Sequence, residues 1–349
     1  MNIIDGRMCH DKLLQKVIPQ LTFDECTEYE NWKKQIEKKF IELTGLDEIE
    51  KNIAPCSNFK IENEGQKDGY KQIRFTFESE IGAIVSAYIL IPNDLNGEKR
   101  PVVITLQGHS TGAHNSVGIV KYQEDEEYQQ TRGMFAVQAV KEGYIAVAIE
   151  QRGMGERAAQ NQDGRRVHLE EIAGCYYEAM TAGLMGRSII GERCFDISKT
   201  IDILQYFKDV CDLDKIVITG NSGGGTASYY AACYDERIKI CVPSCAFCPY
   251  PESILRFYHC SCNYIPMAYK YFDMQDLACL IAPRQLVLVN GRMDPSFLIE
   301  GVRRGYNTVK KIYEKENVPN NCKSIETELG HYWCTDLMWA TIKEELKKL

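Results

Sequence analysis

Lys215-Ile216-Val217-Ile218-Thr219-Gly220-Asn221-Ser222-Gly223-Gly224-Gly225-Thr226-Ala227 is the stretch that decides how the rest of the chain reads. Ile216 to Ile218 is a short β-branched run bounded by polar residues, the mark of a buried strand. Thr226-Ala227-Ser228-Tyr229-Tyr230-Ala231-Ala232 reads as the start of a helix. The turn between them spells G-x-S-x-G with Ser222 in the middle. A serine on a tight strand-to-helix turn needs small neighbours, because its backbone is strained and the helix packs close behind it. The helix N-terminus then points N–H groups and a positive dipole end at any oxyanion that develops beside the serine. A glycine-rich turn of this kind also binds phosphate, and the pattern arises by chance, so its partners decide its meaning.

Working outward, the chain alternates strands with helices. Val102 to Leu106 and Ile145 to Ile149 are apolar runs of strand length, with a helix containing Met134 to Glu142 between them. Ser188 to about Lys208 spaces Ile190, Cys194, Ile197, Ile201 and Leu204 by four and three, one face of a long helix. After the Ser222 unit come strands at Lys239–Val242 and Gln285–Val289. A helix then carries Leu298, Val302, Tyr306, Val309 and Tyr313 on one face, and Thr327–Leu329 lies near a last short strand. Thr335 is placed to cap a final helix ending at Leu349. This order predicts an α/β fold, a doubly wound and mostly parallel sheet covered on both faces. Ahead of it, Ile73, Phe75 and Phe77 alternate with polar residues, and a second strand runs to Pro92, so 70–92 reads as two strands joined by a tight turn. Residues 1–57 read as a helical extension, with Trp32, Ile36 and Phe40 forming an apolar stripe that packs on a single catalytic domain at 58–349.

Composition narrows the function. The 349 residues are 44% hydrophobic and 26% charged, with a net charge of −8, which argues against nucleic acid as a partner. Hydrophobic runs are too short to span a bilayer, and the N-terminus lacks the apolar core of a secretory signal, so the expected location is cytoplasmic. Fifteen cysteines then read as reduced, largely buried thiols. The cluster Cys241, Cys245, Cys248, His259, Cys260 and Cys262 admits a zinc site or a redox pair, but its second half lacks the usual two-residue spacing. Structural thiols are the preferred reading, with no metal and no cofactor.

Reactive residues of a parallel sheet collect on loops at the carboxyl ends of its strands. Asp294 follows the strand at 285–289, and His331, in Glu328-Leu329-Gly330-His331-Tyr332, precedes the terminal helix. The order Ser222…Asp294…His331 is that of the α/β hydrolases and differs from both common serine-protease orders. A serine hydroxyl becomes an effective nucleophile when a neutral imidazole takes its proton, and a carboxylate fixes the tautomer of that imidazole. The oxyanion needs two donors: the Gly223 N–H, and the His109 N–H on the loop Leu106-Gln107-Gly108-His109-Ser110-Thr111-Gly112. Taken singly, Asp294 also serves as a turn former before Pro295, and His331 as an ordinary surface or core histidine. Arg152 reads as a loop-tying arginine rather than an anion clamp.

The segments LQGHSTG, EQRGMGE, GRSIIGERCFDISKTIDIL, GNSGGGTASYYAACYDERI, APRQLVLVNGRMD and ELGHYW resemble the acetyl xylan esterase-like α/β hydrolases, relatives of cephalosporin-C deacetylases and dienelactone hydrolases. The resemblance runs from about residue 70 to the end. It implies the α/β-hydrolase fold and a cofactor-free serine esterase acting on short acyl groups, often acetyl on sugars. Ser222, Asp294 and His331 fall on its catalytic positions, and Gly223 and His109 on its oxyanion positions. Gln107 stands where relatives often carry His, and Gly223 where deacetylases often carry Gln and glucuronoyl esterases usually Arg. The serine itself argues against a lactonase of the dienelactone type, whose nucleophile is Cys. The expected substrate is a small-molecule or oligosaccharide ester, with pocket walls from 111–130, 155–186 and 246–276 and with Tyr332 and Trp333 beside the base. A serine peptidase or amidase, or a non-catalytic binding protein of the same fold, are the alternatives. Sequence leaves the oligomeric state open.

Overall fold

The sheet is built around the Ser222 strand. The computed structural model describes residues 6–26, 28–55, 57–131, 133–158 and 171–349. Its strands are β1 (Lys60–Lys67), β2 (Tyr70–Glu80), β3 (Ala83–Pro92), β4 (Arg100–Leu106), β5 (Ile145–Ile149), β6 (Cys211–Asn221), β7 (Ile238–Ser244), β8 (Gln285–Gly291) and β9 (Cys322–Thr327). They form one nine-stranded sheet in the order β1-β2-β3-β5-β4-β6-β7-β8-β9. From β5 to β9 every pairing is parallel, with Ile104 opposite Ile218 on β6 and Leu286 opposite Cys322 on β9. β1, β2 and β3 add antiparallel to the β5 edge.

Alternation along each central strand feeds two cores. Ile216 and Ile218 of β6 face one core, with helices Tyr29–Thr44, Ile189–Ile203, Gly223–Tyr234 and Ile299–Lys315 packed on it. Val217, between them, faces the other, under helices Phe135–Lys141 and Thr335–Leu346. A strand buried on both faces reads as a continuous β-branched run because neither face meets water. The amino-terminal helix belongs to the first core: Trp32, Ile36 and Phe40 are buried, and the Phe40 ring stacks on Tyr230 with centroids 6.1 Å apart.

Three local expectations change. β1 was not anticipated, since Lys60–Lys67 is exposed along its whole length and therefore carries no apolar alternation; main-chain pairing with β2 makes it a strand. Thr335 is the first helical residue rather than the cap; Cys334 occupies that position without a side-chain capping bond. The long helix begins as read, with the Ser188 hydroxyl accepting from the Gly191 N–H, but it stops at Ile203 and tightens into a 3₁₀ turn over Leu204–Phe207. Among the described residues, no helix is long and apolar enough to cross a membrane.

Candidate active site

Ser222 sits where β6 ends and helix Gly223–Tyr234 begins, at φ 56°, ψ −124°. A positive φ at a non-glycine residue is strained and needs surrounding structure to hold it. Here the two motif glycines let the elements close. A Cβ on Gly220 would lie 2.4 Å from the Leu106 carbonyl oxygen, and one on Gly224 only 2.1 Å from it. The Ser222 N–H donates to the Ser244 carbonyl at 2.9 Å, and the Ser222 carbonyl accepts from the Thr226 N–H at 2.8 Å.

The His331 and Asp294 segments reach the same end of the sheet. His331 Nδ1 pairs with Asp294 Oδ2 at 2.7 Å. Asp294 is buried, and its other oxygen accepts the N–H groups of Ser296 at 2.8 Å and Phe297 at 3.2 Å. The Phe297 ring lies parallel to the His331 ring, with centroids 5.8 Å apart. Cys245 follows Ser244, whose carbonyl holds Ser222, and its sulfur lies within 4.8 Å of the facing atoms of Asp294 and His331. The three loops expected to carry the chemistry thus converge at the carboxyl ends of β6, β8 and β9.

Gly223 and His109 are brought against one another and against Ser222. A Cβ on Gly108 would lie 3.2 Å from the Ser222 Cβ, and one on Gly223 would lie 2.9 Å from His109 Cε1. As first residue of its helix, Gly223 has an N–H without an intrahelical acceptor. Among the described residues, no backbone carbonyl takes the His109 N–H. The loop after β4 is held by a residue that sequence reading gave no role. Buried Asp125 pairs with His114 Nε2 at 2.9 Å, accepts the N–H groups of Lys121 and Tyr122, and takes the Thr111 hydroxyl. Burial alone would push its carboxyl up, but these donors bring it down to about 2. Glu150, at the end of β5, accepts the Ala113 N–H with both oxygens. Deep burial pushes its carboxyl up to about 8.

Arg152 is fully engaged in structure. It bonds Asp196 at 2.8 Å and Glu80 at 2.7 Å, within a buried network that includes Glu192, Arg157 and Arg187. Tyr332 is half exposed beside His331, but Trp333 is not placed to touch a substrate. It is 6% exposed, packs on Phe135 at 4.4 Å, and donates its indole N–H to Gln138. Aromatic content beside the base could not reveal that one ring of the pair turns into the second core.

An apolar cavity of about 510 Å³ opens between helix Glu171–Leu184 and residues 258–266. Tyr176, Met180, Leu184, Tyr258, His259 and Tyr264 are among its walls. It connects to His331 through His259, which is edge-on to Phe297 at 5.2 Å. Burial lowers the His259 pKa, favouring the neutral ring. Two of the three predicted wall segments supply this lining; within 155–186, residues 159–170 lie outside the described residues. A larger cavity of about 600 Å³ lies against helix Met8–Leu14, and neither Ser222, Asp294 nor His331 lines it.

The profile of the Abhydrolase family matches residues 3–328. The chain belongs to the α/β-hydrolase family. That match takes in the amino-terminal helices and stops just short of His331. This α/β hydrolase is 27% identical over 256 residues to YtaP of Bacillus subtilis strain 168, whose hydrolase name is itself provisional, covering 70% of this chain and 77% of that protein. Among solved structures it superposes on a Bacteroides fragilis NCTC 9343 protein, provisionally named an acetyl xylan esterase, with a TM-score of 0.79. Identity there is 18%, over 98% of this chain and 95% of that one. A glucuronoyl esterase from Solibacter usitatus gives a TM-score of 0.66 at 14% identity, over 95% and 99% of the two chains.

Proposed function

We propose that this α/β hydrolase is a serine carboxylic ester hydrolase that removes acetyl or another short acyl group from a sugar or small-metabolite ester. The observation that supports the reading is the strained Ser222 elbow, tied through Ser244 to Cys245, whose sulfur lies beside the bonded Asp294–His331 pair at the carboxyl ends of the parallel strands. Ser222 Oγ attacks the ester carbonyl carbon while His331 Nε2 takes its proton. Asp294, bonded to Nδ1, keeps Nε2 free of hydrogen in the resting state and stabilises the imidazolium that forms. The N–H groups of Gly223 and His109 receive the oxyanion. Collapse expels the alcohol with the proton from His331 and leaves the acyl group on Ser222. Water, activated by the same imidazole, then releases the acid and restores the hydroxyl. No metal or cofactor enters these steps.

The cavity beyond His259 has the volume of small-ligand sites and aromatic walls suited to a sugar face, with Tyr332 at the rim of the triad. The names of the acetyl xylan and glucuronoyl esterases that share the fold point to the same substrate class. The test is hydrolysis of p-nitrophenyl acetate, butyrate and octanoate beside acetate release from acetylated xylo-oligosaccharides. Acetate preference with sugar deacetylation is the expected result. Acetate preference without it keeps the esterase and discards the sugar. Folded protein that turns over no ester directs attention to amides, and failure of a phosphonate probe to label Ser222 would leave a binding protein.

A further inference from the structure

Four side chains of metal-ligand type, scattered between positions 109 and 262, meet beside the oxyanion loop. His109 Nε2 and the sulfurs of Cys175, Cys260 and Cys262 share one cluster, all within 4.8 Å of one another. His109 Nε2 is 3.2 Å from the Cys262 sulfur. The three cysteines are buried, and Met154 and Ile189 complete an apolar shell. We infer that His109, Cys175, Cys260 and Cys262 form a closed tetrahedral site for a zinc ion.

The geometry fits that ion. Zinc–sulfur bonds of about 2.3 Å and zinc–nitrogen bonds of about 2.0 Å place tetrahedral donors roughly 3.5–3.8 Å apart. The cluster spans this range, and four protein ligands of this kind make a structural site rather than a catalytic one. Charge supplies an independent argument. Zinc with three thiolates and a neutral imidazole carries one net negative charge. Arg193, 3% exposed, lies against the cluster with Nη2 3.4 Å from the Cys175 sulfur, and its remaining bonds go to the Arg152 carbonyl. The partly buried Glu178 carboxyl feels its charge. A buried guanidinium needs an anion, and a zinc–thiolate centre beside it supplies one. The Nδ1 side of the His109 ring backs onto Gly223, leaving Nε2 toward the sulfurs.

This site replaces the cysteine grouping suggested by sequence. Cys245 and Cys248 do not join Cys260 and Cys262: the Cys245 sulfur lies over the carbonyls of Gly330 and Tyr332, and that of Cys248 over Leu298. The zinc would fasten the loop after β4, helix Glu171–Leu184 and the turn Ser261–Asn263 to one another, fixing the loop that carries the His109 N–H. That last consequence rests on the esterase reading; metal binding itself does not. Binding releases the three thiol protons to solvent.

The test is metal content of the full chain, prepared without a metal-chelating tag, incubated with zinc and desalted. One zinc per chain is expected, and after exchange a cobalt(II) form with intense thiolate-to-metal charge-transfer absorption. The double variant Cys260→Ser/Cys262→Ser should lose both signals, while Cys334→Ser and His331→Ala keep them. Less than about a tenth of an equivalent of zinc in the wild-type chain, with no cobalt–thiolate band, overturns the site. Metal that follows His331 instead would also overturn it, by placing the ion at Cys245, Asp294 and His331. Should the double variant fail to fold, the wild-type cobalt band still decides, because three thiolates absorb far more strongly than one. Ester turnover is not read, so failure of the esterase reading leaves this result standing.

Discussion

Ser222 holds a conformation that an L-residue keeps only under constraint, and the constraint is steric. Leu106 approaches so closely that neither Gly220 nor Gly224 has room for a methyl group. Gly224→Ala is expected to cost about 2–3 kcal/mol, read as a lower denaturant midpoint, because its Cβ would meet backbone that cannot rotate away. The proposed triad makes a separate prediction. Ser222→Ala and His331→Ala should each lower turnover of p-nitrophenyl acetate by at least about 10³-fold, and Asp294→Asn somewhat less. Near-wild-type turnover in Asp294→Asn would mean that another group orients His331. At this scale the spacing of Ser222, Asp294 and His331 was readable because each ends a strand of a regular alternation. Asp125 and Cys175 were not, since the His114 and Thr111 side chains that Asp125 holds, and the cysteines beside Cys175, are brought to them by folding and no local pattern marks them.

The helix Tyr29–Thr44 shows how an element can look peripheral in sequence and be central in space. Its stripe of Trp32, Ile36 and Phe40 predicted packing, and the structure places that stripe in the same core as the helix behind Ser222. Phe40→Ala should therefore destabilise the whole fold by about 3–5 kcal/mol, measured by chemical unfolding. A chain lacking residues 1–57 should be insoluble or unfolded rather than an active core, and recovery of a stable, active truncated protein would refute this. β1 is the converse case. Its strand character comes from pairing with β2 alone, so no periodicity announced it.

Across the whole molecule, stability should carry the signature of buried acids. The Glu150 carboxyl, at about 8 when folded, stands above its ordinary value of 4.5. Between those values the unfolded chain is ionised there and the folded chain is protonated, so the folded state binds more protons. The contribution is fully present below about pH 4.5 and is lost as pH rises through about 8. Asp273 and Asp276, pushed up to about 7 and about 6 by burial, act in the same direction. The melting temperature of Glu150→Gln should fall by several degrees less than that of the wild type between pH 5 and 8. Parallel curves would remove Glu150 from the account. By itself the sequence determined the alternating architecture, the strand–turn–helix at Ser222 and the order of its partners, because periodicity and glycine placement are local consequences of backbone sterics. Only the tertiary structure decided that Trp333 turns inward, that Arg152 is spent on a buried network, and that His109 and Cys175 join Cys260 and Cys262. Those outcomes depend on which distant loops share a volume, and that is settled by packing rather than by any neighbouring residue.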